Sequence, residues 1–164
     1  MTPSRPPRLV VATKKSAETR ALGAKLGAAL RPGDLLCLIG PLGSGKTTFV
    51  QGLARGAGLK SRVTSPTFVL AKVYKGKRLT LHHLDLYRVA SGETAEIGIE
   101  ECLSDPQGAC AVEWPESGLK YYPGDRVEIL FAHGRGAEER TITVKAAGPR
   151  SRELVGRLGT GGAR

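Results

Sequence analysis

Gly40-Pro41-Leu42-Gly43-Ser44-Gly45-Lys46-Thr47 decides how the rest of this chain is read. It spells G-x-x-x-x-G-K-T, a phosphate-binding P-loop pattern, and its flanks suit the motif. Leu35-Leu36-Cys37-Leu38-Ile39 before it reads as a buried strand, and Thr48 to Arg55 after it reads as a helix. In that setting the glycines at 40, 43 and 45 permit a tight turn that aims backbone N–H groups inward, and a helix N-terminus favours phosphate. Lys46 would reach the β and γ phosphates of a nucleotide, and Thr47 would offer its hydroxyl to Mg²⁺. The expected cofactors are therefore ATP and Mg²⁺, with Gly40, Gly43, Ser44, Gly45, Lys46, Thr47 and Thr48 as the binding loop.

Working outward, the 164 residues suit one domain with its own core. Hydrophobic content of 40% and charged content of 24% are those of a soluble globular protein. No apolar run approaches the roughly 20 residues of a membrane span, and the basic N-terminus lacks the apolar core of a secretory signal. Cys37, Cys102 and Cys110 form no C-x-x-C pair, and Cys37 and Cys110 sit in apolar runs. They read as small buried hydrophobes in a reducing, cytoplasmic protein. Net charge is +10 and uneven: residues 1–90 hold 16 Lys and Arg against 3 Asp and Glu, whereas residues 91–164 hold 9 against 12. A basic half suits a polyanionic ligand, nucleic acid or an acidic protein partner, and solvated surface charge explains it equally well.

Leu9 to Thr13 reads as a short strand, followed by a helix to about Leu30 that Ser16 or Thr13 is placed to cap. After the loop, its helix runs to about Ala57 and stops at Gly58. Lys75-Gly76-Lys77 marks a hairpin into Arg78 to Arg88, which alternates apolar and polar residues and ends near Asp85. Residues 90–104 read as a short acidic helical region. Ala109 to Val112 is a brief buried strand that delivers Glu113-Trp114-Pro115-Glu116, and Tyr121 to Asp125 is a turn. Segments 126–131 and 140–145 alternate well enough to pair as a hairpin. The fold class expected is α/β: a single three-layer, P-loop NTPase-like domain with a mixed sheet and C-terminal antiparallel hairpin strands. Its expected boundaries are a flexible lead-in over residues 1–8, the domain over 9–147, and a basic, Gly-rich mobile tail over 148–164 that holds at most a short helix, Ser151 to Leu158.

A P-loop needs an acidic partner for its metal, usually at a strand end. Asp85 and Glu113 both qualify, and a surface carboxylate beside a strand end is the alternative for either. His82 and His83 fall on opposite faces of their strand, so both cannot face one site; a packed strand histidine is the simpler reading of His83. Thr67, after Pro66, suits either a γ-phosphate sensor or an ordinary turn residue. Arg88 and Arg55 are candidates for a charge-stabilising arginine, and Arg135 and Arg140 for neighbours of the nucleotide base.

Taken together, Gly40 to Thr48, Ser65-Pro66-Thr67-Phe68, His83-Leu84-Asp85-Leu86-Tyr87-Arg88 and Val112-Glu113-Trp114-Pro115-Glu116 resemble the bacterial TsaE (YjeE) family of small ATPases. The resemblance implies a weak, partner-stimulated ATPase that binds the TsaB–TsaD heterodimer and supports N6-threonylcarbamoyladenosine (t6A) modification of tRNA at position 37. It implies tRNA contact mainly through that complex and no membrane. By the same resemblance Thr47 and Glu113 match Mg²⁺ ligands, Asp85 the acidic strand-end residue that holds a metal-bound water or orients the attacking one, and Ser65-Pro66-Thr67 a switch loop. Lys46, Asp85, Glu113 and Thr67 are thus the expected catalytic residues, with Thr47, Glu113 and Asp85 around the metal. Pro41 departs from the family's usual Asp. A stand-alone small-molecule kinase and a nucleic-acid-binding module remain the alternatives.

Overall fold

A computed structural model describes residues 7–66, 70–89 and 98–159. The apolar run before the glycine loop is strand β2 (Leu35–Ile39), and its position explains its composition. It sits at the centre of a seven-stranded sheet of order β1-β7-β6-β2-β5-β4-β3, whose other strands are β1 (Arg8–Thr13), β3 (Ala71–Lys75), β4 (Thr80–Asp85), β5 (Gly108–Glu113), β6 (Val127–His133) and β7 (Arg140–Ala146). The four inner strands β6, β2, β5 and β4 run parallel, and β1, β7 and β3 are antiparallel additions at the edges. A parallel core strand is covered on both faces, so β2 and β5 are apolar throughout rather than alternating.

The alternation reappears as two separate cores. Leu36, Leu38, Leu81, Ala109, Ala111 and Ile129 face helices α1 (Ser16–Ala29), α2 (Lys46–Gly56) and α4 (Pro149–Gly159). Leu35, Cys37, Leu84, Cys110 and Val112 face the opposite way, onto α3 (Ile99–Ser104) and a 3-10 helix over Pro115–Tyr121. Burial pushes the Cys37 and Cys110 thiols up to about 12, as expected of inert core residues. Of the expected acidic helical region only α3 lies within the described residues, and the 3-10 helix occupies what reads in sequence as connection and turn.

Helices α1 and α2 lie in backbone contact. A Cβ added at Gly52 would fall on the Arg20 carbonyl oxygen and one at Gly56 on that of Ala24; the reverse holds for Gly23 against Phe49 and Gly27 against Leu53. Four glycines at i, i+4 spacing on facing helices thus remove the side chains that would hold the axes apart. The capping expectation for α1 does not hold. Its N-cap is Lys15, without a side-chain cap, and the Glu18 carboxylate takes the Lys14 N–H. Ser16 Oγ donates to Glu138 at 2.9 Å, and Thr13 and Thr19 share a hydroxyl hydrogen bond.

Both ends of the domain differ from the sequence reading. Arg8 already belongs to β1, and residues 149–159 of the expected tail form α4, with Leu154, Val155 and Leu158 in the core. Arg150 anchors it: the guanidinium bonds both carboxylate oxygens of the buried Asp34, at 2.9 and 2.8 Å, and the Ala29 carbonyl at 2.7 Å. The short helix expected over Ser151 to Leu158 is thus present, but it packs into the domain rather than lying in a mobile tail.

Replacing Gly52 by Ala should lower stability by about 1–3 kcal/mol, since backbone rather than a movable side chain blocks the methyl. Gly156→Ala in α4, where the added methyl meets open space, should instead raise it by up to about 1 kcal/mol. Thermal melts of the two variants check this; equal effects would contradict the close approach.

Candidate functional site

Strands β2, β4 and β5 end together, and each ends on a residue of interest. β4 closes on Asp85 and β5 on Glu113, which are register partners; Leu38 of β2 is the partner of Glu113 on its other side. Period-two alternation turns His83, Asp85 and Glu113 toward the α2 face of the sheet. Beyond Ile39 the chain enters the glycine loop, with Gly43 and Gly45 at φ +70° and +98°, the left-handed region in which a Cβ is costly. α2 starts at Lys46, so its first turn presents N–H groups without intrahelical partners toward the strand ends. A cleft of about 290 Å³ results, walled by the loop from Gly43 to Thr48 and by Asp85, Glu113 and Trp114.

Inside it, Thr47 Oγ1 lies 3.3 and 3.2 Å from the two carboxylate oxygens of Glu113. His83, fully buried, places Nε2 2.6 Å from Glu113 Oε2. The carboxylate accepts, so that ring nitrogen donates. Asp85 is 4% exposed and accepts the Tyr87 N–H at 2.9 Å. Lys46 is 5% exposed; its ammonium donates to the Gly40 and Pro41 carbonyls and lies 3.8 Å from the centroid of the Trp114 ring. Burial lowers its pKa, opposed by the charges of Glu113, Asp85 and Glu116. Trp114 has φ +54°, a strained backbone for an aromatic residue, and its ring stacks at a tilt on Tyr87, 4.8 Å away. The Ser44 hydroxyl is buried in the loop without a partner among the described residues.

The structure thus gathers Gly43, Ser44, Gly45, Lys46, Thr47, Thr48, Asp85 and Glu113 around one cleft, while Gly40 serves through its carbonyl. Ser65 lines the same cleft; Thr67 lies outside the described residues. Arg55 belongs to the last turn of α2, roughly 14 Å along the helix from Lys46, and so does not reach the loop. Arg135 does not line the cleft. Arg140 does, but its guanidinium donates to the Gly43 and Ser44 carbonyls at 2.9 and 3.0 Å, so it holds the loop's outer edge to β7. Two residues gain roles that sequence did not assign: His83, bonded to Glu113, and Arg140. The alternating pattern of β4 puts His83 on the correct face; no local signal points to Arg140, because the contact depends on β6 and β7 lying beside β2. His82 faces away and pairs with Asp105 at 2.7 Å. Pro41 keeps its carbonyl in use, accepting the Ser44 N–H at 3.2 Å.

Comparison with known proteins agrees over most of the chain. A family model described as "Threonylcarbamoyl adenosine biosynthesis protein TsaE" matches residues 13–142. The tRNA threonylcarbamoyladenosine biosynthesis protein TsaE of Bacillus subtilis is 40% identical over 141 residues, 86% of this chain and 87% of its own. The Treponema pallidum protein of the same name is 45% identical over 136 residues, 80% of this chain and 96% of its own. The crystal structure of Bacillus subtilis YdiB matches with a TM-score of 0.81 at 34% identity, over 96% of this chain and 97% of that one. Sequence and fold therefore agree that this chain belongs to the TsaE family.

Proposed function

We propose that the cleft is the active site of a P-loop, Mg²⁺-dependent ATPase that acts in t6A modification of tRNA and does so bound to a TsaB–TsaD complex. A role in t6A biosynthesis follows from family membership. The single observation that carries the enzymatic reading is the approach of the Thr47 hydroxyl to both oxygens of Glu113 directly beside Lys46.

The donor set fits the metal. Mg²⁺ prefers oxygen ligands and commonly takes one or two carboxylates, the rest of its shell coming from water and phosphate. Thr47, Glu113 and Asp85 line the same cleft and offer such a set, one hydroxyl and two carboxylates. The ion, when bound, neutralises charge on the phosphate oxygens. The protein's own groups do the rest. Loop amides and Lys46 bind phosphate, Lys46 exchanging its carbonyl partners for phosphate oxygens. That exchange is favourable because, among the described residues, the buried ammonium is in ion-pair contact with no carboxylate. Trp114 shields it from water. His83 fixes the rotamer of Glu113, and Asp85 orients water at the strand ends. Thr67 as γ-phosphate sensor rests on sequence alone.

Phosphate release assayed with and without Mg²⁺ tests the reading. Glu113→Ala should lose metal-dependent hydrolysis while still binding a fluorescent ATP analogue in the absence of metal; full Mg²⁺-dependent turnover in that variant would overturn the assignment.

His83→Ala should lower turnover about 10–100-fold through a disordered Glu113. His83→Gln, whose amide N–H can still reach the carboxylate, should recover part of it. Equal loss in the two variants would reduce His83 to a space-filling role.

Steady-state turnover should rise when purified TsaB–TsaD is added. Unchanged turnover, with no complex detected by gel filtration, would remove the partner from the proposal.

A further inference from the structure

Between Asp34 and Asp85 the chain contains no acidic residue, yet residues 55–78 alone carry Arg55, Lys60, Arg62, Lys72, Lys75, Lys77 and Arg78. The fold puts most of them on one face, at the opposite end of α2 from the cleft. Two adjoining depressions of about 480 and 520 Å³ form this face. Arg20, Arg55, Lys60 and Arg62 line the first, and Lys60, Lys75, Lys77 and Arg78 the second, so Lys60 and its neighbour Ser61 form the shared wall. Among the described residues, no acidic side chain lines either one. Arg55, Lys60, Arg62, Lys75 and Lys77 are exposed and take part in no ion pair among the described residues. Two cations nearby are already occupied: Arg78 caps α1 through the Leu30 and Gly27 carbonyls, and Arg20 donates to Gln51. Asp105, whose carboxyl is held low first by its bond to His82, also feels the charge of Lys75.

We propose that this face binds the phosphate backbone of RNA, directly and without base recognition. The proposal rests on the t6A reading for the identity of the RNA, but not on ATP hydrolysis. Several unpaired cations crowded together repel one another, and a polyanion removes that cost while releasing its own counterions. An acidic protein is the other partner with matching charge. Protein interfaces, however, centre on buried apolar or aromatic anchors. The exposed large hydrophobic residues among those described are Val10, Leu42, Val73, Tyr87 and Leu119, and none lines either depression. The same lack of exposed aromatic rings removes the stacking platform that base-specific RNA recognition uses. What remains is backbone contact. Because the face and the cleft occupy opposite ends of α2, RNA and nucleotide can be held at once.

Fluorescence anisotropy of the full chain with a labelled tRNA transcript, between about 50 and 200 mM salt, tests this. Affinity should fall steeply with salt. A Lys60→Glu, Arg62→Glu, Lys77→Glu triple variant should bind at least about 10-fold more weakly at the low end, with a log–log slope smaller by about 2. The neutral K60Q, R62Q, K77Q variant should show the same smaller slope, which keeps the test usable if charge reversal disturbs folding. Nucleotide binding should be unchanged in that neutral variant. Absence of tRNA binding by the wild-type chain, an unaltered slope in the neutral variant, or competition by poly-glutamate as strong as by RNA would each overturn the proposal. Phosphate release by the wild-type chain alone, measured alongside, separates such a failure from failure of the ATPase reading.

Discussion

The backbone contact between α1 and α2 is the constraint on which the rest of the structure depends. α2 has to lie close over β2 and β5 for its first turn to reach the strand ends, and α1 has to lie close beside it to complete the layer. Side chains at positions 23, 27, 52 or 56 would force the two axes apart, and Lys46 and Thr47 would move with them. Glycines are poor helix residues, costing about 1 kcal/mol each relative to alanine. Placing four of them in two facing stripes indicates that the close approach outweighs that loss. The leucines around them, among them Leu22, Leu26 and Leu53, fill the space on either side and supply the apolar burial.

Given that placement, the cleft is assembled from strand ends that are adjacent for topological reasons. β2 lies between β5 and β6, and the chain leaves it for α2, so a crevice opens beyond the carboxyl ends of the parallel strands. The central groups of the site hang from this edge: the loop from β2, Asp85 from β4, Glu113 from β5. Charge there is concentrated and nearly solvent-free. Lys46, Asp85 and Glu113 are all about 95% buried, and His83 and Arg140 act on the groups around them rather than facing the cleft as free charges. Burying an ammonium among carbonyls and under an indole ring lowers its pKa and costs stability at neutral pH, because the unfolded chain holds that proton more tightly. The cost is fully present below the lowered folded-state value and disappears as pH rises past the ordinary lysine range.

Much of the site is legible in the sequence because its chemistry is written in short local patterns. The glycine loop needs its residues at fixed spacing, and the alternation of β4 and the apolar run of β5 put Asp85 and Glu113 at strand ends. Where local pattern carried no signal, the reading fell short. The N-cap of α1 is Lys15, without a side-chain cap, rather than Thr13 or Ser16. α4 reads in sequence as at most a short helix in a mobile tail, because its apolar residues are few and its surroundings are glycine and arginine, and nothing local shows that it packs on the sheet. Arg140, placed in sequence beside the base, instead ties the loop to β7.

By itself, the sequence determined the elements and the loop: apolar runs long enough only for strands, a G-x-x-x-x-G-K-T turn that only a strand-to-helix junction accommodates, and the acidic residues that close two strands. Only the tertiary structure decided the order β1-β7-β6-β2-β5-β4-β3, the contact of His83 with Glu113, the gathering of unpaired cations at the far end of α2, and the docking of α4 through Arg150 and Asp34. The physical reason is the range of the interactions. Turn and strand preferences act within a few residues, whereas each of these contacts joins segments that come together only when apolar faces from distant parts of the chain are buried against one sheet.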